Sequence, residues 1–124
     1  MKIQESAQNY LETILIITNR NGSCRSIDIA NELSYSKPSV SFAMKNLREN
    51  GYIDVMGDGK IVLLEPGRQI AENLFQRHTI LTKALEALGV SPETAAEDAC
   101  RIEHILSQES FDAIRRAVEK EAKK

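Results

Sequence analysis

The sequence predicts a mainly α-helical chain with one small β-hairpin. Three observations carry that prediction. Apolar residues recur at spacings of three and four through six stretches, the period of an amphipathic helix. Gly, Ser and Pro stand where such helices start and stop. Only residues 52–64 break the pattern, with β-branched and aromatic residues on either side of Gly57-Asp58-Gly59.

Residues 4–19 read as the first helix, with Tyr10, Leu11, Ile14, Leu15 and Ile17 on one broad apolar face. Asn9 and Glu12 lie beside that face, and Gly22 suits a left-handed cap after it. Ser26 is expected to cap a short helix through Leu33, with Asp28 favourable in its first turn. After the tight connection Ser34-Tyr35-Ser36, Ser36 caps a helix from about Lys37 to Asn50. Pro38 fits there because it falls in the first turn. Ile29, Ala30, Leu33, Val40, Met44 and Leu47 form a shared apolar face. Two short helices across such a turn make a helix-turn-helix. Gly51 ends the second of them, and Tyr52–Met56 and Lys60–Leu64 then pair as a hairpin. The order so far is that of a winged helix.

A long helix over about 67–88 follows, with Ile70, Leu74, His78, Leu81, Leu85 and Leu88 in one stripe that His78 interrupts. Gly89 marks a turn. Ser91-Pro92-Glu93 starts a helix expected to reach Leu106, with Ala95, Ala99, Ile102 and Leu106 inward. A last helix, about 108–122, carries Phe111, Ile114 and Val118, and Lys120–Lys124 are expected to fray. The boundary between the two parts is placed at 66/67, giving a winged-helix region over 1–66 and a helical region over 67–124.

Composition sets bounds. A chain of 124 residues, 42% apolar, with no Trp and three Phe, can form a real but mainly aliphatic core. No run of about 18 apolar residues is present, and Met1–Glu5 lack the apolar stretch of a signal peptide, so a cytoplasmic location and no membrane partner are expected. Two cysteines, Cys24 and Cys100, make no disulfide framework and are expected to be thiols. Net charge is −2; residues 1–64 hold seven basic and seven acidic side chains, and residues 65–124 nine and eleven. Neither half is basic, so any nucleic-acid contact must come from a local patch.

The most informative stretch is Cys100-Arg101-Ile102-Glu103-His104. On a continuous helix Cys100, Glu103 and His104 share one face. A thiolate, a carboxylate and an imidazole together suit a transition metal. His78 stands eleven residues before Gly89 and Cys100 eleven after it, so an antiparallel pair folded at Gly89 brings both to similar depth.

With this order in hand, the chain resembles the metal-dependent repressors of the DtxR/MntR family nearly end to end. The resemblance is carried by Asn9-Tyr10-Leu11-Glu12-Thr13-Ile14, Ile29–Leu33, Ser36-Lys37-Pro38-Ser39-Val40-Ser41, Leu64–Arg68, Gln76-Arg77-His78 and, most specifically, Ala99–Leu106. It implies that His78, Glu103 and His104 are metal ligands. Cys100 falls where iron-type members have Cys and manganese-type members Glu. Glu12 matches a manganese-type carboxylate, and Asn9 stands where the family has Asp or Met. Thr82 and Ala96 replace the ligands of the family's ancillary site, which is expected to be lost, as is the SH3-like domain of longer members. The ligand set suits Fe²⁺ or Mn²⁺, with Zn²⁺ or Co²⁺ able to substitute in vitro.

The resemblance further implies a metal-activated transcriptional repressor that binds double-stranded operator DNA as a homodimer, with no small-molecule substrate beyond the metal ion. Ser36, Lys37, Pro38, Ser39, Ser41 and Lys45 belong to the expected recognition helix, where small hydroxyl residues permit close approach to base edges. Arg25 and Lys60 are candidates for backbone contacts. The dimer contact is expected from the helices after His78, through Phe111, Ile114 and Val118. The alternative is a thiol redox regulator sensing through Cys100. An enzyme is not expected, since no His-Glu-x-x-His motif or activated nucleophile is present.

Overall fold

A computed structural model describes residues 4–122. Met1–Ile3, in the stretch read as lacking a leader, and Lys123–Lys124, at the end of the expected frayed tail, lie outside the described residues. The elements are α1 (Glu5–Asn21), α2 (Ser26–Leu33), α3 (Lys37–Glu49), β1 (Ile53–Val55), β2 (Ile61–Leu63), α4 (Glu65–Ala87), α5 (Pro92–Ile102) and α6 (Gln108–Ala122). The chain divides into two compact units between Asn73 and Leu74, so the start of α4 belongs to the first. No helix among the described residues is long and apolar enough to cross a membrane.

The first unit is a winged helix. Its core joins Leu11, Ile14 and Ile17 of α1, Ile29 of α2, Val40, Met44 and Leu47 of α3, and Ile53, Ile61 and Leu63 of the hairpin. Gly22 caps α1 at φ 87°, as expected. Ser26 is the first helical residue of α2 rather than its cap: Arg25 holds the cap position, and Asp28 Oδ2 accepts its backbone N–H at 2.9 Å. Ser36 does cap α3, accepting the Ser39 N–H at 3.3 Å. β1 and β2 pair antiparallel with Asp54 opposite Val62. The Ile61 N–H reaches the Cys24 carbonyl at 2.7 Å, which stitches the hairpin to the loop after α1.

Two features of this unit are set by close packing. α4 begins at Glu65, two residues earlier than the apolar stripe indicates. A Cβ at Gly67 would lie 2.2 Å from the Tyr52 carbonyl oxygen and 3.3 Å from Leu11 Cδ2, so the helix can pass here only without a side chain. Cys24 is fully buried, and burial, with Asp28 adding to it, pushes its thiol up to about 12. It is a structural residue of the core.

The second unit contains the rest of α4 with α5 and α6. Leu74, Leu81, Ala95, Ala99 and Phe111 are its buried apolar side chains. Gly89 turns the chain at φ 102°, and Ser91 caps α5 by accepting the Thr94 N–H at 3.4 Å. Two expectations need correction. Leu88, read into the apolar stripe, is 81% exposed. The helix expected to reach Leu106 ends at Ile102, where the Ile105 and Leu106 N–H groups converge on the Ile102 carbonyl in a tight turn.

Candidate metal centre and nucleic-acid interface

Glu103 is the residue on which the site turns. It directly follows α5, keeps helical backbone angles and donates its N–H to the Ala99 carbonyl at 3.0 Å. That places its side chain inside the second unit, 1% exposed. Its Oε2 lies 3.2 Å from His78 Nδ1 and its Oε1 3.6 Å from His104 Nε2. No hydrogen bond satisfies either carboxylate oxygen among the described residues. A buried, unsatisfied carboxylate is costly. The contact with Glu103 raises the His78 pKa above the ordinary imidazole value, against the opposing effect of burial.

These donors fit a divalent cation. Carboxylate oxygen and imidazole nitrogen both present lone pairs suited to Mn²⁺ or Fe²⁺, and the two free Glu103 oxygens are what such an ion would satisfy. Cys100 differs from the other two in exposure. It is exposed on α5, whereas the Glu103 and His104 side chains are buried past the helix end. The structure therefore brings together His78, Glu103 and His104. On α1, Glu12 is a buried carboxylate, and Asn9 lines a shallow cleft with Glu5, Tyr10 and Tyr35.

In the first unit the residues expected to meet DNA are all at the surface. Ser36, Lys37, Pro38, Ser39, Ser41 and Lys45 are exposed along α3. Ser41 and Lys45 line a concavity with Ser26, Arg48 and Val55, between α3 and the hairpin. Arg48, not singled out from sequence, adds a cation there and lies 3.6 Å from Asp54. Arg25 Nε donates to the Asp58 carbonyl at 3.2 Å, and Lys60 Nζ is 3.6 Å from the Asp58 carboxylate. Both cations thus stand at the wing tip.

Two family models cover almost the whole chain: "Iron dependent repressor, N-terminal DNA binding domain" over residues 2–61, and "Iron dependent repressor, metal binding and dimerisation domain" over residues 64–123. The chain belongs to the iron-dependent repressor family. Among curated relatives, the transcriptional regulator MntR of Escherichia coli is 34% identical over 121 residues, spanning 98% of this chain and 78% of that protein. A manganese-dependent transcriptional repressor solved with manganese is 25% identical, with a TM-score of 0.79, across 91% of this chain and 52% of that one. The manganese regulator SloR shares the fold at 22% identity and a TM-score of 0.79, across 96% of this chain and 55% of that one. The chain thus spans about half the length of these solved structures.

The iron-dependent repressors are transcriptional regulators, and this chain falls in the class of metal-dependent, DNA-binding repressors that respond to iron or manganese. The comparisons give no support to a thiol redox regulator. In this iron-dependent repressor a further residue shapes the candidate site. Arg77 Nη1 donates to the Glu103 carbonyl at 3.0 Å and to the Leu106 carbonyl at 2.6 Å, and Nη2 to Gln108 Oε1 at 3.1 Å. The same guanidinium sits 5.3 Å from the centre of the Phe111 ring. Arg77 therefore fixes the backbone of Glu103 and ties it to the start of α6. The one sequence signal for it was its place beside His78.

Proposed function

We propose that this repressor acts as a homodimer on double-stranded operator DNA when Fe²⁺ or Mn²⁺ fills a site built from His78, Glu103 and His104, completed by Glu12 and Asn9 from α1 and with Cys100 at its exposed edge. The observation that carries the reading is the buried Glu103 carboxylate, which lies beside two imidazoles with neither oxygen hydrogen-bonded. A bound divalent ion supplies the positive charge that this carboxylate lacks. His78 and His104 offer imidazole nitrogens to the same carboxylate, and Arg77 holds the Glu103 backbone in place. Oxygen and nitrogen donors predominate in the set, which suits Mn²⁺ and Fe²⁺; engagement of the Cys100 thiolate favours Fe²⁺.

Glu12 and Asn9 belong to the winged-helix unit, and His78, Glu103 and His104 to the second. Loading a site that draws on both orders one unit against the other, so less free energy is spent ordering the recognition helices on DNA. Lys37, Lys45, Ser36, Pro38, Ser39 and Ser41 on α3 meet the major groove, and Arg25 and Lys60 meet backbone phosphates. The dimer face is proposed on the second unit around Leu88 and Ile105, which are 81% and 80% exposed. Phe111, first expected in that face, is buried within its own unit and cannot serve it. The protein is placed with chromosomal DNA in the cytoplasm, and no catalytic role is assigned to any side chain.

The test is anaerobic fluorescence anisotropy on the labelled upstream DNA of the protein's own gene, titrated with Fe²⁺ or Mn²⁺ or with chelator. Tight binding that requires the ion, and that Glu103→Gln abolishes, is the expected result. Equal binding in chelator would overturn metal activation.

A further inference from the structure

Phe42 is the most exposed large apolar side chain of the winged-helix unit among the described residues, at 68%. It stands in the second turn of α3, whose inward face is Val40, Met44 and Leu47. At 3.6 residues per turn, Phe42 falls on the opposite side of that helix, with Pro38, Lys45 and Glu49. Its ring edges a groove with Ser6, Ala7 and Tyr10 of α1 and Asn46 of α3, and stays largely open to solvent.

A single exposed apolar side chain is ordinary on a protein surface, so the position of Phe42 rather than its exposure alone decides what it can meet. The more exposed Leu88 and Ile105 lie in the matched metal-binding and dimerisation region, where a second copy is the proposed cover. Phe42 lies instead within the matched DNA-binding region, on a helix face that also carries Lys45 and Glu49, with Lys37 at the start of the same helix. Those cations fit a polyanion rather than an apolar protein partner. The major groove displays one apolar group among its donors and acceptors, the 5-methyl of thymine, and Phe is among the side chains that meet it. A phenyl ring has no donor for guanine O6 and N7, and no acceptor for the exocyclic amines of adenine or cytosine.

We propose that Phe42 is a specificity-determining residue, which reads the 5-methyl group of a thymine in each operator half-site. The inference rests on the reading of α3 as the recognition helix and names the chemistry that helix selects. It also assigns the surrounding serines and lysines a different task, that of setting the depth and register at which the ring enters the groove.

The experiment replaces thymines of the footprinted upstream site one at a time with deoxyuridine, which lacks only the methyl. Binding is measured by anisotropy with saturating Mn²⁺, for the wild type and for Phe42→Ala. At one thymine per half-site, deoxyuridine is expected to weaken the wild type about fourfold, the worth of one buried methyl. Phe42→Ala should bind both duplexes equally at that position. Cytosine there should bind poorly and 5-methylcytosine should recover part of the loss, for the wild type only. A wild type indifferent to deoxyuridine at every thymine would overturn the inference, as would a Phe42→Ala protein that keeps the wild-type pattern. Either result leaves metal-dependent binding intact and so spares the functional reading. Absence of any metal-dependent binding by the wild type would overturn both. Phe42 is on the surface, so the variant's thermal unfolding should match the wild type and exclude misfolding as the cause.

Discussion

The winged-helix unit fills its interior mainly with aliphatic side chains drawn from every one of its elements, from Leu11 to Ala71, with Glu12 and Thr13 of α1 also buried. The second unit has two leucines, two alanines and a phenylalanine in the same role, and gives the rest of its interior to the Glu103 carboxylate and the His104 imidazole. The first arrangement is self-sufficient, because burial of apolar surface needs no partner. The second is less so, because the buried Glu103 carboxylate has only two neighbouring imidazoles to offset its desolvation in the absence of a metal cation. Within one chain, the winged-helix unit is stabilised by its own aliphatic core, and the second unit gives interior space to a carboxylate and imidazoles.

The largest effect that would sharpen this contrast comes from Phe111→Ala. The ring is 1% exposed, with the Arg77 and Arg115 guanidiniums 5.3 and 5.7 Å from its centre. Its loss should cost about 3–5 kcal/mol and open the second unit alone. Hydrogen exchange should then show protection retained in α1 and α3 and lost in α5 and α6. Loss of protection throughout would mean that the units do not differ in independence.

Metal addition comes next. At about a hundred times its Kd, Mn²⁺ should stabilise the protein by about 2.7 kcal/mol, read as a rise in Tm that Glu103→Ala removes. Acid should weaken this effect. His78 has a raised pKa, so its attraction to Glu103 stabilises the metal-free protein below the ordinary imidazole value and fades as pH climbs through the raised one. Metal binding runs the opposite way, since the imidazole must be neutral to coordinate. The metal-induced rise in Tm should therefore shrink from pH 8 to pH 6.

Gly67→Ala probes the other side of the comparison. Its Cβ would meet the Tyr52 carbonyl, and the backbone must shift, at about 1–3 kcal/mol. The loss should appear as lower Tm with and without metal, and the metal-induced increment should be unchanged. The smallest effect is chemical. Cys24 is buried with its thiol held protonated, and Cys100 is exposed. Iodoacetamide should modify one thiol per native chain, mapping to Cys100 by mass spectrometry, with no change in Tm of the metal-free protein.

Most of the fold was legible because its signals are local. Gly22, Ser36 with Pro38, Gly57-Asp58-Gly59 and Ser91-Pro92 act on residues beside them, and the elements they bound match the structure closely. The Ser26 cap was misplaced by one residue, because the Asp28 carboxylate three positions on serves Arg25. The end of α5 was not legible at all. The Glu103 and Leu106 carbonyls are taken by Arg77, a residue 26 and 29 positions away, and no local pattern announces such a partner. That His78 shares a site with the Cys100–His104 stretch was visible in outline, since the residue chemistry and the Gly89 turn, which sets His78 level with Cys100, pointed to it. That the Glu103 oxygens are left without donors is a property of packing alone.

The Arg77 clamp fixes a length. One rigid guanidinium spans the carbonyls of Glu103 and Leu106 and the side chain of Gln108, so the segment joining α5 to α6 is measured against a ruler. Side chains there can vary, as the exposed Ile105 shows. Residue number cannot: one insertion or deletion between Ile102 and Gln108 would pull a carbonyl off the fork and rotate Glu103 away from His78. In relatives that keep this Arg and this Glu, the spacing between α5 and α6 should be more constant than the residues that fill it.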